Sequence, residues 1–144
     1  MNTYKTKEEL AKGYHEAGCN CAQAVLLAFA EELGLSKESA AKIALPFGGG
    51  MARGETCGAL TGALMALGLT ESGSVPPNPE DKKISRENAK KLAEIFEKEY
   101  GTTLCREILS MPRGKGKMLC NDIVGYMAMQ TEKILKDGAV SVKK

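Results

Sequence analysis

Tryptophan is absent from the chain, and aromatic residues make up only 5% of it, whereas methionine occurs seven times. This composition favours a pliable helical core. A strong excess of one charge is also lacking, because 20 lysines and arginines stand against 18 aspartates and glutamates, for a net charge of +2. Nucleic-acid-binding domains carry a larger and more clustered basic excess. We therefore predict no nucleic-acid partner.

Long hydrophobic runs are missing as well. The longest nearly unbroken apolar run covers residues 63–69, far short of the roughly 20 residues that span a bilayer. The first ten residues are polar and charged and do not resemble the apolar core of a signal peptide. We predict a cytoplasmic protein without membrane insertion. Five cysteines in a reducing compartment indicate metal binding or redox chemistry and argue against structural disulfides.

No segment shows the alternation of apolar and polar residues that is typical of strands. Apolar residues recur instead at helical spacing, and favoured capping residues precede the first segments, with Thr3 or Thr6 before the first, Asn20 before the second and Ser36 before the third. The 144 residues can bury roughly 70% of the unfolded surface. We predict an all-α fold, a compact single domain over residues 1–144 with about five to seven helices.

The second half of the chain contains two predicted loops. Residues 71–83 are rich in proline, serine and glycine and are expected to form a surface loop before a charged helix over residues 85–100. Residues 103–109 are expected to form a short helix or turn. A basic loop over residues 113–117 then leads to a last helix that starts near Cys120.

A glycine-rich loop with glycines at positions 48–50 and 54 precedes a central helix of small residues and leucines. The glycines permit positive φ angles, and Thr56 is the expected N-cap, which places Cys57 in the first turn. Free N–H groups and the helix dipole favour an anion there. We predict a lowered pKa for Cys57, whose thiolate attacks disulfides or binds metals. A buried Cys57 that only packs as a small hydrophobe is the alternative.

Four cysteines lie at or near predicted helix or turn boundaries, where backbone N–H groups are available to sulfur. They are 36, 48 and 15 residues apart in order, which matches no local metal-ligand spacing, so only tertiary folding can bring them together. Cys19 precedes this set by two residues and is expected to be an exposed free thiol, with a resolving thiol or spare ligand as alternatives. The four are Cys21, Cys57, Cys105 and Cys120.

Two other features carry little functional signal. His15 is the only histidine, and its place on an amphipathic helix favours a surface or packing role. The glycine loop is not a nucleotide-binding fingerprint, because no strand precedes it and no lysine-serine or lysine-threonine pair follows it. We therefore expect no nucleotide cofactor.

Five segments of the chain form a recognisable pattern. They are Asn20-Cys21-Ala22-Gln23, Phe47-Gly48-Gly49-Gly50, Cys57-Gly58-Ala59-Leu60-Thr61-Gly62-Ala63, Cys105-Arg106-Glu107 and Cys120. Together they resemble the C-GCAxxG-C-C family, whose members are regarded as redox-active. The resemblance implies a small helical protein whose four cysteines act together, and some relatives carry selenocysteine while others lie near transporter genes. Cys19 departs from the family pattern.

A similar domain of split-Soret cytochrome c proteins is associated with an iron–sulfur centre. This chain has no Cys-x-x-Cys-His sequence, so no haem is expected.

Three hypotheses follow. In the first, the four cysteines bind a two-iron, two-sulfur cluster or zinc for electron transfer or sensing, and Gly58 and Gly62 leave room for the inorganic core. In the second, the protein is a thiol–disulfide oxidoreductase with Cys57 as nucleophile and one of the other three cysteines as resolving thiol. In the third, the cysteines only pack, and the small-residue helix serves a homodimer or a partner protein. The first two make the protein an electron carrier or an oxidoreductase with an unidentified redox partner.

Overall fold

The computed structural model describes residues 5–71, 73–111 and 116–137, without the side chains of residues 116–118. These ranges form seven α-helices, so the prediction of an all-α fold with five to seven helices is confirmed. Their only extended pairing is one antiparallel bridge between Thr56 and Leu104. The helices are α1 (Lys7–Glu16), α2 (Cys21–Ala30), α3 (Lys37–Ala44), α4 (Gly58–Gly68), α5 (Pro79–Tyr100), α6 (Cys105–Leu109) and α7 (Gly116–Asp137).

Polar side chains begin the first three helices, as the sequence predicts. Thr6, Asn20 and Ser36 each accept a hydrogen bond from the backbone N–H three residues later. These bonds satisfy N–H groups that have no partner inside the helix. The cap at Asn20 makes Cys21 the first residue of α2.

Helix α2 lies at the centre of the fold. Eight of its ten residues are buried, because α1, α3, α4 and α7 all pack against it. The small-residue helix α4 shares the centre with it. A Cβ atom on Gly62 would lie 2.6 Å from the carbonyl oxygen of Ala22, so the glycine allows the two helix backbones to come into direct contact.

Two predicted boundaries are wrong. Helix α5 begins at Pro79 and not at residue 85, because Asn78 caps it by accepting from the N–H of Asp81 and proline is favoured in the first turn. Helix α7 already begins at Gly116, so Cys120 lies inside a helix and not at its start. The predicted basic loop over residues 113–117 falls largely outside the described residues. Among the helices that the structure describes, none combines the length and the apolar character needed to cross a bilayer.

Candidate functional site

The four cysteines singled out by the sequence line one cavity of about 130 Å³. Cys21 begins α2, Cys57 is the N-cap of α4, Cys105 begins α6 and Cys120 lies in α7. Four separate elements therefore deliver one thiol each. The described parts of the chain contain no group of three histidine, cysteine or acidic side chains close enough to hold a metal ion. The other wall residues among those that the structure describes are small or apolar, namely Gly49, Gly58, Ile108, Leu109 and Ile123.

A backbone bridge holds Cys57 and Cys105 next to each other. The N–H of Cys57 donates to the carbonyl of Thr103 at 2.8 Å, and the N–H of Cys105 donates to the carbonyl of Glu55 at 2.6 Å. The two bonds flank the antiparallel bridge between residues 56 and 104. Backbone hydrogen bonds thus fix the positions of two cysteines that are far apart in sequence, and these bonds do not depend on the side chains.

The Asn-Cys-Ala-Gln segment at the start of α2 holds the glycine loop in place. Besides capping α2, Asn20 donates from Nδ2 to the carbonyl of Leu45, and Gln23 donates from Nε2 to the carbonyl of Ala41, both at 2.9 Å. A Cβ atom on Gly48 would lie 2.6 Å from Asn20 Nδ2. Gly48 itself has a φ of −68°, so this contact, and not the predicted positive φ, requires a glycine there.

The rest of the loop is left-handed, as the glycines predict, but the left-handed stretch extends further. Gly49, Gly50 and Gly54 have φ angles of 65°, 64° and 70°, and Met51 and Ala52 both have 61°. A non-glycine residue in this region costs on the order of 1–2 kcal/mol. Met51 and Ala52 therefore carry backbone strain two and three residues after Gly49, which contributes to the cavity wall.

The predicted low pKa of Cys57 is wrong. Cys57 is only 6% exposed, and burial, reinforced by the charges of Cys105 and Cys120, raises its pKa to about 12 although the N–H groups of Ala59 and Leu60 act in the opposite direction. Cys57 is itself the N-cap of α4, because the bridge to residue 104 keeps Thr56 extended. Cys57 therefore packs in the hydrophobic core and also lines the cavity.

The acidic thiol of the site is Cys120. The thiol of Cys21 donates a hydrogen bond to the sulfur of Cys120, which lowers the pKa of Cys120 to about 7 against the opposing effect of burial. The same bond, followed by burial and by the charges of the other three cysteines, raises the pKa of Cys21. Burial and the charge of Cys120 also raise the pKa of Cys105. Of the four thiols, Cys120 is therefore the first to ionise as the pH rises.

This charge distribution predicts the order in which the thiols react. In reduced, metal-free protein, Cys120 should be alkylated at half its maximal rate near pH 7, because its thiolate forms there. Cys19, whose pKa burial raises, should stay slow until well above pH 8. Iodoacetamide labelling between pH 5 and 10, followed by peptide mass spectrometry, measures both residues in one sample. Equal pH profiles for the two would contradict the assignment.

A pair of buried polar residues that sequence reasoning did not assign to the site lies beside Cys21. His15 and Asn121 are 7% and 8% exposed. His15 Nε2 is 4.0 Å from the sulfur of Cys21, and His15 Nδ1 is 3.1 Å from Nδ2 of Asn121. The packing role expected for His15 is thus combined with a contact to a site cysteine. Its position four residues after buried Ala11, on the inner face of α1, was the available signal.

Two of the predicted residues lie away from the cavity. Cys19 is half-buried and is not among the residues that form the cavity wall. Gly62 is also outside the wall and instead contacts the backbone of α2, whereas Gly58 is part of the wall. The role of Gly58 beside a cofactor stays a prediction.

One known protein family matches most of the chain. A family model described as "Putative redox-active protein (C_GCAxxG_C_C)" matches residues 19–134. This range includes all four cavity cysteines. Neither a curated protein nor a solved structure shows a significant match. The chain belongs to the C_GCAxxG_C_C family of redox-active proteins.

Proposed function

We propose that Cys21, Cys57, Cys105 and Cys120 are the ligands of an iron–sulfur cluster and that the protein carries or senses electrons. The observation that supports this most strongly is that four thiols, from four elements, line one cavity of about 130 Å³. No three of them lie within ligating distance of one point in the described structure, so binding of the cluster would draw the four sulfurs closer together. A simple thiol–disulfide couple needs only two of them. When bound, such a cluster supplies a one-electron redox couple at a potential set by its surroundings.

The electrostatics of the site fit a cationic core. The pKa of Cys21 is raised mainly by its hydrogen bond with Cys120, and those of Cys57 and Cys105 mainly by burial, and the charges of neighbouring cysteines raise all three further. Four thiolates in this cavity would therefore repel one another. Metal ions remove this repulsion and deprotonate coordinating thiols. The N-termini of α2 and α4 add N–H groups and a favourable dipole at two of the ligands.

The size of the cavity favours a cluster over zinc. Tetrahedral zinc holds four sulfurs at about 2.3 Å from one point, which would close the space between them. A cavity of about 130 Å³ suits a core of several atoms, for which we propose two irons and two sulfides. Gly58 leaves the start of α4 without a side chain at this point.

Anaerobic purification, followed by a visible spectrum and metal analysis of the same sample, tests this proposal. We expect absorption in the visible range together with stoichiometric iron and sulfide. Cys57→Ser should lose the absorption, the iron and the sulfide, because the buried sulfur of Cys57 is a proposed ligand. Stoichiometric zinc without colour would replace the cluster by a zinc site. A colourless, metal-free protein purified from iron-replete cells would reject metal binding.

A second candidate function is favoured by the opposite pKa shifts of two of the thiols. The interaction between Cys21 and Cys120 raises the pKa of Cys21 and lowers that of Cys120, and both residues line the cavity, as a dithiol couple requires. The Cys120 thiolate would attack a disulfide of a partner protein and release one partner thiolate. Cys21 would then lose its proton, attack the Cys120 sulfur and displace the second partner thiolate. Two electrons and the proton of Cys21 pass from the cysteines to the partner, whose other thiolate takes a proton from water. Cys120 replaces Cys57 as the nucleophile.

The two candidates are distinguished on the metal-free protein. A dithiol couple predicts a Cys21–Cys120 disulfide after mild oxidation, with a defined reduction potential, in a protein that has never contained iron. If the protein binds no metal and forms no such disulfide, the remaining hypothesis is a helical module with packed cysteines. That module predicts an intact fold after all four are replaced by serine. The redox partner, a homodimer and a cytoplasmic location stay predictions.

A further inference from the structure

We propose that His15 is a positioning residue of the cysteine site, which donates a hydrogen bond from Nε2–H to the sulfur of Cys21 in a tautomer that Asn121 fixes. This inference rests on the proposed redox function and applies to a cluster and to a dithiol alike. It concerns a histidine on α1 and an asparagine on α7, neither of which lies in the cavity wall.

The tautomer follows from the contacts of one amide group. Nδ2 of Asn121 lies 3.3 Å from the carbonyl oxygen of Lys12 and 3.1 Å from Nδ1 of His15. A carbonyl only accepts, so the Asn121 group that faces it must be the NH₂, which only donates. Nδ1 of His15 therefore accepts and carries no proton. In the neutral ring the proton is then on Nε2, the atom that faces Cys21.

The contacts form a short chain from α7 to the site. Asn121 donates to His15, and Nε2 of His15 faces the sulfur of Cys21 at 4.0 Å. Asn121 directly follows Cys120 on α7, so this helix carries one site cysteine and orients the imidazole that faces another.

Such a donor affects the redox chemistry of the site in one direction. An N–H group next to sulfur favours the state in which the sulfur carries more negative charge, which is the reduced state of a cluster and the thiolate state of a dithiol. His15 should therefore raise the reduction potential of the centre. His15 and Asn121 are nearly inaccessible to solvent, so water cannot readily replace the bond.

The tautomer can be measured without a cluster and without a variant. The chain contains one histidine, so the ¹⁵N spectrum of the imidazole in metal-free protein arises from a single residue. We expect a protonated Nε2 and an unprotonated Nδ1 at neutral pH. Asn121→Leu removes the donor to Nδ1 and should change the Nδ1 shift. A proton on Nδ1 in the native protein would overturn the proposal.

Two matched substitutions test the effect on potential. His15→Gln keeps an amide NH₂ near the position of Nε2, whereas His15→Asn places its amide near the position of Nδ1. We expect His15→Asn to shift the ratio of oxidised to reduced centre about tenfold towards oxidised at a fixed potential, which for a one-electron couple is about 59 mV. His15→Gln should keep most of the native value. Equal potentials in both folded variants and the native protein would overturn the proposal.

The readouts separate this inference from the proposed function. If the protein proves to be metal-free, the same variants are compared through the potential of the Cys21–Cys120 disulfide, where a tenfold change is about 30 mV. If neither a cluster nor a disulfide forms, the proposed function fails and the inferred effect on potential fails with it. The ¹⁵N measurement still decides whether His15 has the tautomer that a bond to Cys21 requires.

Discussion

Replacing Cys19 by serine is expected to leave the visible absorption and the iron content of the anaerobically purified protein unchanged, whereas Cys21→Ser is expected to abolish both. The two residues are separated only by the capping residue Asn20. Cys21 contributes to the wall of the cavity, and Cys19 does not. The comparison therefore distinguishes two neighbouring thiols by their position in the fold, since a serine hydroxyl is a poor substitute for a thiolate ligand.

The remaining cysteines supply the matched series. Cys57→Ser, Cys105→Ser and Cys120→Ser should each behave like Cys21→Ser, and thermal unfolding of the metal-free variants controls for loss of the fold. Retained colour in Cys21→Ser together with lost colour in Cys19→Ser would show that Cys19 is the ligand. For a dithiol centre, mass spectrometry of the oxidised protein should detect the 21–120 disulfide in Cys19→Ser and not in Cys21→Ser.

The helical architecture could be predicted because its determinants are local. Asn20 caps α2 through a neighbour three residues away, and the apolar spacing of α2 and α4 is visible in the sequence. Local signals also misplace the start of α5, because the prolines of residues 76–79 indicate a loop although Pro79 is suited to the first turn of a helix.

The site could be predicted only as a set of residue types. The contact of Cys57 with Cys105 depends on backbone pairing between residues 56 and 104, which no periodicity encodes. The pKa of each thiol depends on burial and on the other thiols, so the local signal at Cys57, a helix N-terminus, was outweighed by loss of solvent. His15 acquires its place at the site from Asn121, more than 100 residues away.

Gly62→Ala is expected to lower the free energy of unfolding by about 2–3 kcal/mol, although alanine is the better helix former by about 1 kcal/mol. The new Cβ would lie 2.6 Å from the carbonyl oxygen of Ala22 and 3.1 Å from its Cα. These are backbone atoms of a helix packed on four sides, so they cannot rotate away. Helix α2 or α4 must shift as a body.

Gly68→Ala is the matched control for this prediction, because the same substitution in the same helix places a Cβ where no atom lies within 4 Å. It should leave stability unchanged or raise it by up to about 1 kcal/mol. Urea unfolding of the metal-free proteins measures both. The shift in Gly62→Ala separates the helix that begins at Cys21 from the helix capped by Cys57, so we also expect less iron to be bound by that variant than by Gly68→Ala. Equal urea midpoints for Gly62→Ala and Gly68→Ala would contradict the prediction that the close contact of α2 and α4 requires a glycine at position 62.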